Sequence, residues 1–255
     1  MKRILTAVLL IPLVVATVLY APAWLFLAVL SAVALVCFHE WDEIVSSYGI
    51  PRAGPVGYAA GLLLLTAPRA DLALVTALAL IALVLAMRLA DLAQGLPRVS
   101  AMLLGMVYVF GCWRCAPLLR SINPHWLMFG MAVNWIGDIA AFYVGSAVGR
   151  HRLAPRVSPK KSWEGAIGSA LAAAALGVAY LRWAMPQVPL WEAAALAVTV
   201  NVAGQVGDLA ESAIKRGAGV KDSSNLLPGH GGWLDRVDST LFGLPVLYFL
   251  LARPW

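Results

Sequence analysis

The sequence predicts an all-α protein built of membrane-spanning helices, and three observations carry that prediction. Of its 255 residues, 61% are hydrophobic and 13% charged, where a soluble domain carries about 25% charged residues. Apolar runs close to the roughly 20 residues that cross the hydrocarbon core recur along the whole length. Most of the charge between them is gathered into two polar segments, residues 150–164 and 207–239.

Nine runs emerge in order. They are Ile4 to Tyr20, Ala23 to Phe38, Val56 to Ala67, Leu72 to Met87, Ala101 to Leu119, Trp126 to Val148, Gly165 to Trp183, Leu190 to Val206 and Thr240 to Leu251. The first follows Lys2 and Arg3 as a signal peptide would, but lacks a small-residue cleavage site and is followed by further runs, so it reads as the first span. The third is short and contains glycine, so it either tilts or dips in and returns, and the count is then eight or ten. Three cysteines, Cys37, Cys112 and Cys115, lie in or near apolar runs. An odd count argues against a disulfide framework, and the C-x-x-C around Trp113 and Arg114 reads as membrane packing. Gly145 and Gly149, at G-x-x-x-G spacing, and the alanines from Ala170 to Ala175 read as close helix packing, with a subunit contact in a homodimer as the other reading.

With nine spans, the N-terminus and the polar segments beginning at His39, Arg88, Arg150 and Gly207 share one side. That side holds about 14 Lys and Arg, against Arg69, Arg120, Arg182 and Arg253 on the other, with Arg114 inside a span. Such a bias makes the basic side, and the N-terminus, cytoplasmic. The chain is expected to be one integral membrane domain, with N-terminal spans over 1–120 and catalytic spans over 121–255. The net charge of +6 has no soluble basic domain to serve nucleic acid; it fits loops facing an anionic leaflet or a phosphorylated substrate.

Residues 207–239 hold five carboxylates, four fixed positive charges, a histidine and six glycines. Asp208 and Glu211 stand at i and i+3 where the eighth span ends, and Asp235 and Asp238 repeat that spacing where the ninth begins, so each pair shares a helix face. Two such pairs could converge on a hard cation such as magnesium, which takes oxygen ligands; solvation of the loop, or complementing a helix dipole, is the plainer role. Lys215, Arg216, Lys221 and Arg236 beside the carboxylates resemble a site for a metal on a polyphosphate. The turn Pro228 to Gly232 cannot be helical, and its backbone amides could approach phosphate closely. His230 within it either touches substrate or holds the loop.

The segment Gly149 to Gly165 carries Arg150, Arg152, Arg156, Lys160 and Lys161. A positive-inside signal would explain the charge alone, but Pro159 breaks helix and Ser162 with Glu164 suits the start of the seventh span. A helix N-terminus beside two lysines is a natural polyphosphate seat. Trp163 packs on a base or sits in the interfacial aromatic belt. Asp138 stands mid-run, where an ionisable residue usually lines a cavity or pairs with a charge. Glu40, Asp42 and Glu43, near the end of the second run, read as a hydrated loop, with lining of the same cavity as the other reading.

These residues resemble the phosphatidate cytidylyltransferase family, the CDP-diacylglycerol synthases. The family's C-terminal signature is met by Ser212, Ile214, Lys215, Arg216, Lys221, Asp222, Ser224, Leu227, Pro228, His230, Gly231, Gly232, Asp235, Arg236, Val237 and Asp238. Trp233 departs from it, standing where the family usually has an aliphatic residue or methionine, which bears on lipid preference. The likeness also takes in S-P-K-K-S-W-E-G from Ser158 and the stretch after Asp138. It implies transfer of CMP from CTP to phosphatidic acid at a bacterial inner membrane, on the cytoplasmic side, with magnesium or another divalent cation and room for a second cation. The carried-over roles place metal on Asp208 and Asp235, supported by Asp238 and Glu211. Lys160, Lys161, Lys215, Arg216 and Lys221 hold phosphates, Ser162, Trp163 and Glu164 shape the nucleotide side, and Asp222, Arg236 and Asp138 complete the substrate site. Other classes remain open: an ion- or proton-coupled transporter using Asp138, or a CTP-dependent lipid kinase.

Overall fold

The computed structural model describes residues 2–68, 72–89, 91–226 and 231–252. Among them the chain is a bundle of α-helices with one small hairpin. α1 (Lys2–Tyr20), α2 (Ala23–Ser47), α3 (Gly54–Thr66) and α4 (Leu72–Ala86) come first. One continuous rod then holds α5 (Gly95–Gly105), a π-helical stretch Met106–Gly111 and α6 (Cys112–Ile122). α7 (Pro124–Val148), β1 (Arg152–Ala154), β2 (Ser158–Ser162), α8 (Trp163–Ala184), α9 (Leu190–Gly217) and α10 (Leu234–Leu251) follow.

Each apolar run falls on helix, as lipid demands of a backbone that must satisfy its own hydrogen bonds. Among the described residues five helices are long and apolar enough to cross a membrane: Ala23–Ser47, Leu92–Ile122, Pro124–Val148, Trp163–Ala184 and Leu190–Gly217. Leu10–Tyr20, Gly54–Thr66 and Ala73–Ala86 are apolar but shorter. The hairpin departs from a purely helical chain: β1 and β2 pair antiparallel, with Arg152 opposite Ser162 and Ala154 opposite Ser158. Pro155 and Pro159 are its cause, since each lacks the amide a helix interior requires.

Two helices outrun their apolar stretches. α2 continues past Phe38 to Ser47 and α9 past Val206 to Gly217. Their extra turns bury Glu40 and Asp42, and Glu211 and Lys215, so these polar groups lie inside protein rather than in lipid. α9 then stops at Gly219, whose φ of 74° lets its N–H donate to Arg216 O at 3.1 Å while Val220 N–H donates to Lys215 O at 3.0 Å. Glycine is favoured at this left-handed helix end because it has no Cβ to clash.

The most extensive helix contacts are α7 with α8, α9 with α10 and α8 with α9. A Cβ on Gly165 would stand 2.9 Å from Ala141 O and 3.3 Å from Gly145 Cα, so the small-residue spacing on α7 serves packing within the chain. Arg114 donates to the carbonyls of Leu64, Leu65 and Ala67 at the end of α3. Arg120 does the same for Val18 and Ala21 after α1, lying 4.6 Å over the Phe26 ring. Both place a cation at a helix C-terminus, where the orphan carbonyls favour it. The three cysteines are free.

Candidate active site

A cavity of about 710 Å³ opens where α7, the hairpin, α8, α9 and α10 meet. The hairpin contributes Arg152, Lys160 and Lys161 to its lining, and the start of α8 contributes Ser162 and Gly165. α9 adds Asp208 and Lys215, the segment after it Asp222, and α10 adds Asp235, Arg236 and Asp238. Asp138 and Phe142 face the cavity from α7. The two polar segments thus meet in one place although α8 and most of α9 separate them along the chain.

Each carboxylate is held differently. Asp208 is ion-paired with Lys161 across the cavity, both partly exposed, and accepts from Ser212 Oγ at 3.4 Å. Asp235 Oδ1 accepts from the Lys215 ammonium, while its Oδ2 accepts from Ser223 N at 2.9 Å and Gly232 N at 2.8 Å. Lys215 also lies 3.2 Å from Glu211 Oε1. Glu211 is 1% exposed and does not line the cavity; neither of its oxygens has an aligned hydrogen-bond partner among the described residues. Asp238 is buried, its Oδ1 accepting from Ser239 N at 2.7 Å, and Asp138 Oδ2 accepts from Ser239 Oγ at 3.4 Å.

Several expected substrate contacts lie elsewhere. Trp163 is 56% exposed and outside the cavity lining. Glu164 turns back on the hairpin, accepting from Arg150 N and His151 N at 3.2–3.3 Å with His151 Nδ1 at 2.6 Å from Oε1. Arg216 ties the end of α9 to the Val157 and Val220 carbonyls. Lys221 is exposed outside the lining, and His230 lies outside the described residues. The reason is local: helix-end and loop groups left without partners take the nearest ones in the chain. The same reason redirects the backbone amides expected to receive phosphate. Ser162 caps α8 by accepting from Gly165 N at 3.1 Å, and Trp163 N donates to His151 O at 2.9 Å. Of the turn expected to seat phosphate, Pro228, Gly229 and His230 lie outside the described residues; Gly232 N is taken by Asp235, and the amides of Trp233 and Leu234 that follow are taken by Glu40. Among the described residues, the cations lining the cavity are the side chains of Arg152, Lys160, Lys161, Lys215 and Arg236.

Glu40 is the group that sequence reasoning misplaced. It sits in α2 rather than in a hydrated loop and is 0% exposed. Besides the two amides, its oxygens accept from Ser223 Oγ at 2.9 Å and Ser224 Oγ at 2.6 Å. Asp42 is also buried, accepting from Ala53 N at 2.8 Å, whereas Glu43 remains at the surface with Arg52 at 2.5 Å. The available signal was a carboxylate directly after an apolar run, where an ionisable group usually has a partner inside protein.

For a divalent cation, the donor set is of the right kind: carboxylate oxygens alone, which suit magnesium rather than a softer metal. Among the described residues no three acidic, His or Cys groups come together as a ready-made metal cluster. Instead Lys161 and Lys215 place ammonium groups on Asp208 and Asp235, and the buried Glu211 oxygens lack aligned donors. The residues fit a cation that would share these oxygens once the ammonium groups turn to an anionic ligand.

A helical bundle of membrane type thus carries a cavity in which cations and carboxylates interleave. The chain belongs to the cytidylyltransferase family, whose model matches residues 1–253. It is similar to a phosphatidate cytidylyltransferase of Brucella suis, 37% identical over 229 residues that cover 87% of this chain and 82% of that protein. The Bacillus subtilis phosphatidate cytidylyltransferase is 39% identical over 152 residues, 58% of this chain and 56% of the relative. A third, from Staphylococcus saprophyticus, is 39% identical over 134 residues, 52% of each. The matched region thus spans about half the length of the latter two relatives.

Proposed function

We propose that this chain transfers CMP from CTP to phosphatidic acid, releasing pyrophosphate and forming CDP-diacylglycerol for phospholipid synthesis. The observation that carries the reading is the cavity itself, with Arg152, Lys160 and Lys161 on one wall and Asp208, Asp235 and Asp238 on the other. Reaction requires two strongly anionic groups to be held against each other, so screening of charge is the main catalytic demand. A phosphate oxygen of the lipid attacks the α-phosphorus of CTP. The bond to the oxygen bridging the α- and β-phosphorus breaks, and pyrophosphate leaves with that electron pair. The lipid phosphate is already an anion at neutral pH, so no side chain is needed as a base.

In this reading Lys160, Lys161 and Arg152 hold the triphosphate, and Lys215 and Arg236 hold charge near the reacting phosphorus. Asp208 and Asp235, with Asp238 and Glu211 behind them, would hold magnesium, which supplies Lewis-acid screening of the phosphates. Binding of the nucleotide draws the Lys161 ammonium from Asp208 onto phosphate, since the more highly charged anion wins the cation. Phe142 lines the cavity and is 67% exposed, giving the cavity an apolar rim through which a lipid headgroup could enter from the bilayer.

The whole chain would form one membrane domain of nine spans, its N-terminus and both polar segments cytoplasmic. Three contacts support that parity: Arg98 with Ala53 O, Lys161 with Asp208 and Glu40 with Ser223 join segments assigned to the same side. The setting would be a bacterial inner membrane. A homodimer would use surfaces other than Gly145, which packs on α8.

Purified protein given CTP labelled in the α-phosphate, magnesium and phosphatidic acid micelles tests the proposal. Label should pass to lipid with equimolar pyrophosphate. Release of CDP with phosphorylation of a lipid alcohol would replace the reading with a CTP-dependent kinase. Absence of both, with solute flux in vesicles, would replace it with transport.

A further inference from the structure

Glu40 lies 183 residues from Ser223 and 194 from Leu234 along the chain, yet it makes its hydrogen bonds with the segment that carries Asp222 and Asp235. Its Oε1 accepts from Ser224 Oγ at 2.6 Å and Trp233 N at 2.9 Å; its Oε2 accepts from Ser223 Oγ at 2.9 Å and Leu234 N at 2.7 Å. Four donors on one buried carboxylate make a site of high occupancy. Charge-assisted bonds of this kind are about twice as strong as neutral ones. A negative charge at the first amides of α10 is also favoured by the helix dipole.

The Ser223 hydroxyl stands between two carboxylates. Its oxygen is 2.9 Å from Glu40 Oε2 and 3.0 Å from Asp235 Oδ2, and a hydroxyl has one proton to donate. Asp235 keeps two backbone donors, Ser223 N and Gly232 N, both on residues beside those Glu40 holds. α2 is therefore fastened to both sides of the turn before α10. A second fastening lies at its far end, where Tyr48 Oη donates to Ile214 O at 2.6 Å near the end of α9.

We propose that Glu40 is a positioning residue for nucleotidyl transfer: through Ser223 and the first amides of α10 it holds Asp235 in register with the cavity. Glu40 is not among the residues lining the cavity, so it acts through Asp235 and touches no substrate. The proposal rests on the CMP-transfer reading for its kinetic consequence, but not for its structural one.

Glu40→Gln is the discriminating change. The amide has the same shape but one acceptor oxygen, so either orientation puts an NH₂ against the N–H of Trp233 or Leu234. A hydroxyl can rotate away; a backbone N–H cannot. Hydrogen exchange in detergent should show peptides over residues 222–226 and 231–236 exchanging roughly tenfold faster, with α7 and α8 unchanged. In turnover, kcat per folded protein should fall about 100-fold, the cost of a misplaced reacting group, with the KM for CTP within about threefold because no binding residue is lost. Ser223→Ala removes only the shared hydroxyl and should lower kcat roughly tenfold with normal folding, on the scale of about 1.4 kcal/mol per tenfold. Uniform acceleration of exchange in Glu40→Gln, with normal kcat in whatever stays folded, would reduce Glu40 to a structural role. Unchanged exchange around Asp235, or a fully active Ser223→Ala, would overturn the proposal. Should the wild type transfer no CMP, the exchange measurement still decides whether Glu40 holds this segment.

Discussion

The hairpin wall and the α9–α10 wall of the cavity are both charged, but they hold their charges with different firmness. Lys160 is exposed and Lys161 only half-buried, its ammonium paired with one carboxylate. Asp235, by contrast, is bound by Lys215 and two backbone amides, and Asp238 is 7% exposed. One wall keeps long, mobile cations at a surface, and the other fixes short carboxylates inside. Long side chains can follow a ligand, while preorganised carboxylates do not have to reorganise when charge develops. Under the proposed CMP transfer, the difference would give capture to the hairpin and chemistry to the α9–α10 wall.

The comparison breaks most directly at Asp235. Asp235→Asn leaves an NH₂ facing either the Lys215 ammonium or the amides of Ser223 and Gly232, and it removes an anion from the fixed wall. CMP transfer should fall by about 10³-fold in kcat, measured with protein shown by size exclusion to be folded. Retained turnover across a magnesium titration would exclude Asp235 from metal binding and move the chemistry to Asp208.

A smaller effect is expected on the mobile wall. Lys161→Gln removes the ammonium paired with Asp208 but leaves the fixed carboxylates in place. The KM for CTP should rise roughly tenfold or more with kcat less affected, as loss of binding shared by ground and transition states requires. A kcat loss as large as that of Asp235→Asn would show that the hairpin also acts in the transition state, and the division between walls would fail.

Much of this division was legible in the sequence. The apolar runs gave each helix its place, since lipid and burial both favour continuous apolar surface on a helix. Asp208, Glu211, Asp235 and Asp238 declared themselves by i, i+3 spacing beside lysines, and all but Glu211 reach the cavity. What stayed hidden depended on distant partners. Glu40 looks like a solvated residue because its four donors lie more than 180 residues away. Gly232 looks like part of a phosphate seat, yet its amide is held by Asp235. The hairpin was foreshadowed by Pro159, but strand pairing between Arg152 and Ser162 has no local alternation to reveal it in a stretch this short.

Where the hairpin joins α8, the predicted effect is on stability. Ser162 accepts from Gly165 N at 3.1 Å, and its loss in Ser162→Ala should cost about 1 kcal/mol, the usual worth of an N-cap. Thermal unfolding in detergent reads that loss. Because Ser162 also lines the cavity, a fall in CTP affinity without a change in unfolding would make its hydroxyl a ligand contact rather than a cap.

The smallest effect belongs to the next residue. Trp163 follows Ser162 at the start of α8, yet its ring is 56% exposed and absent from the cavity lining. At the end of an apolar helix an exposed indole fits the interfacial belt, where its apolar body meets lipid and its N–H meets water. Trp163→Phe keeps the apolar body and should change the KM for CTP by less than about twofold, within the range of surface substitutions. Its fluorescence should be quenched by bromine-labelled lipid in reconstituted vesicles and remain unaltered by CTP. If CTP quenched it, and Trp163→Phe raised the KM severalfold, the indole would belong to the capture wall after all, and the boundary between that wall and the lipid would have to be drawn one residue further along α8.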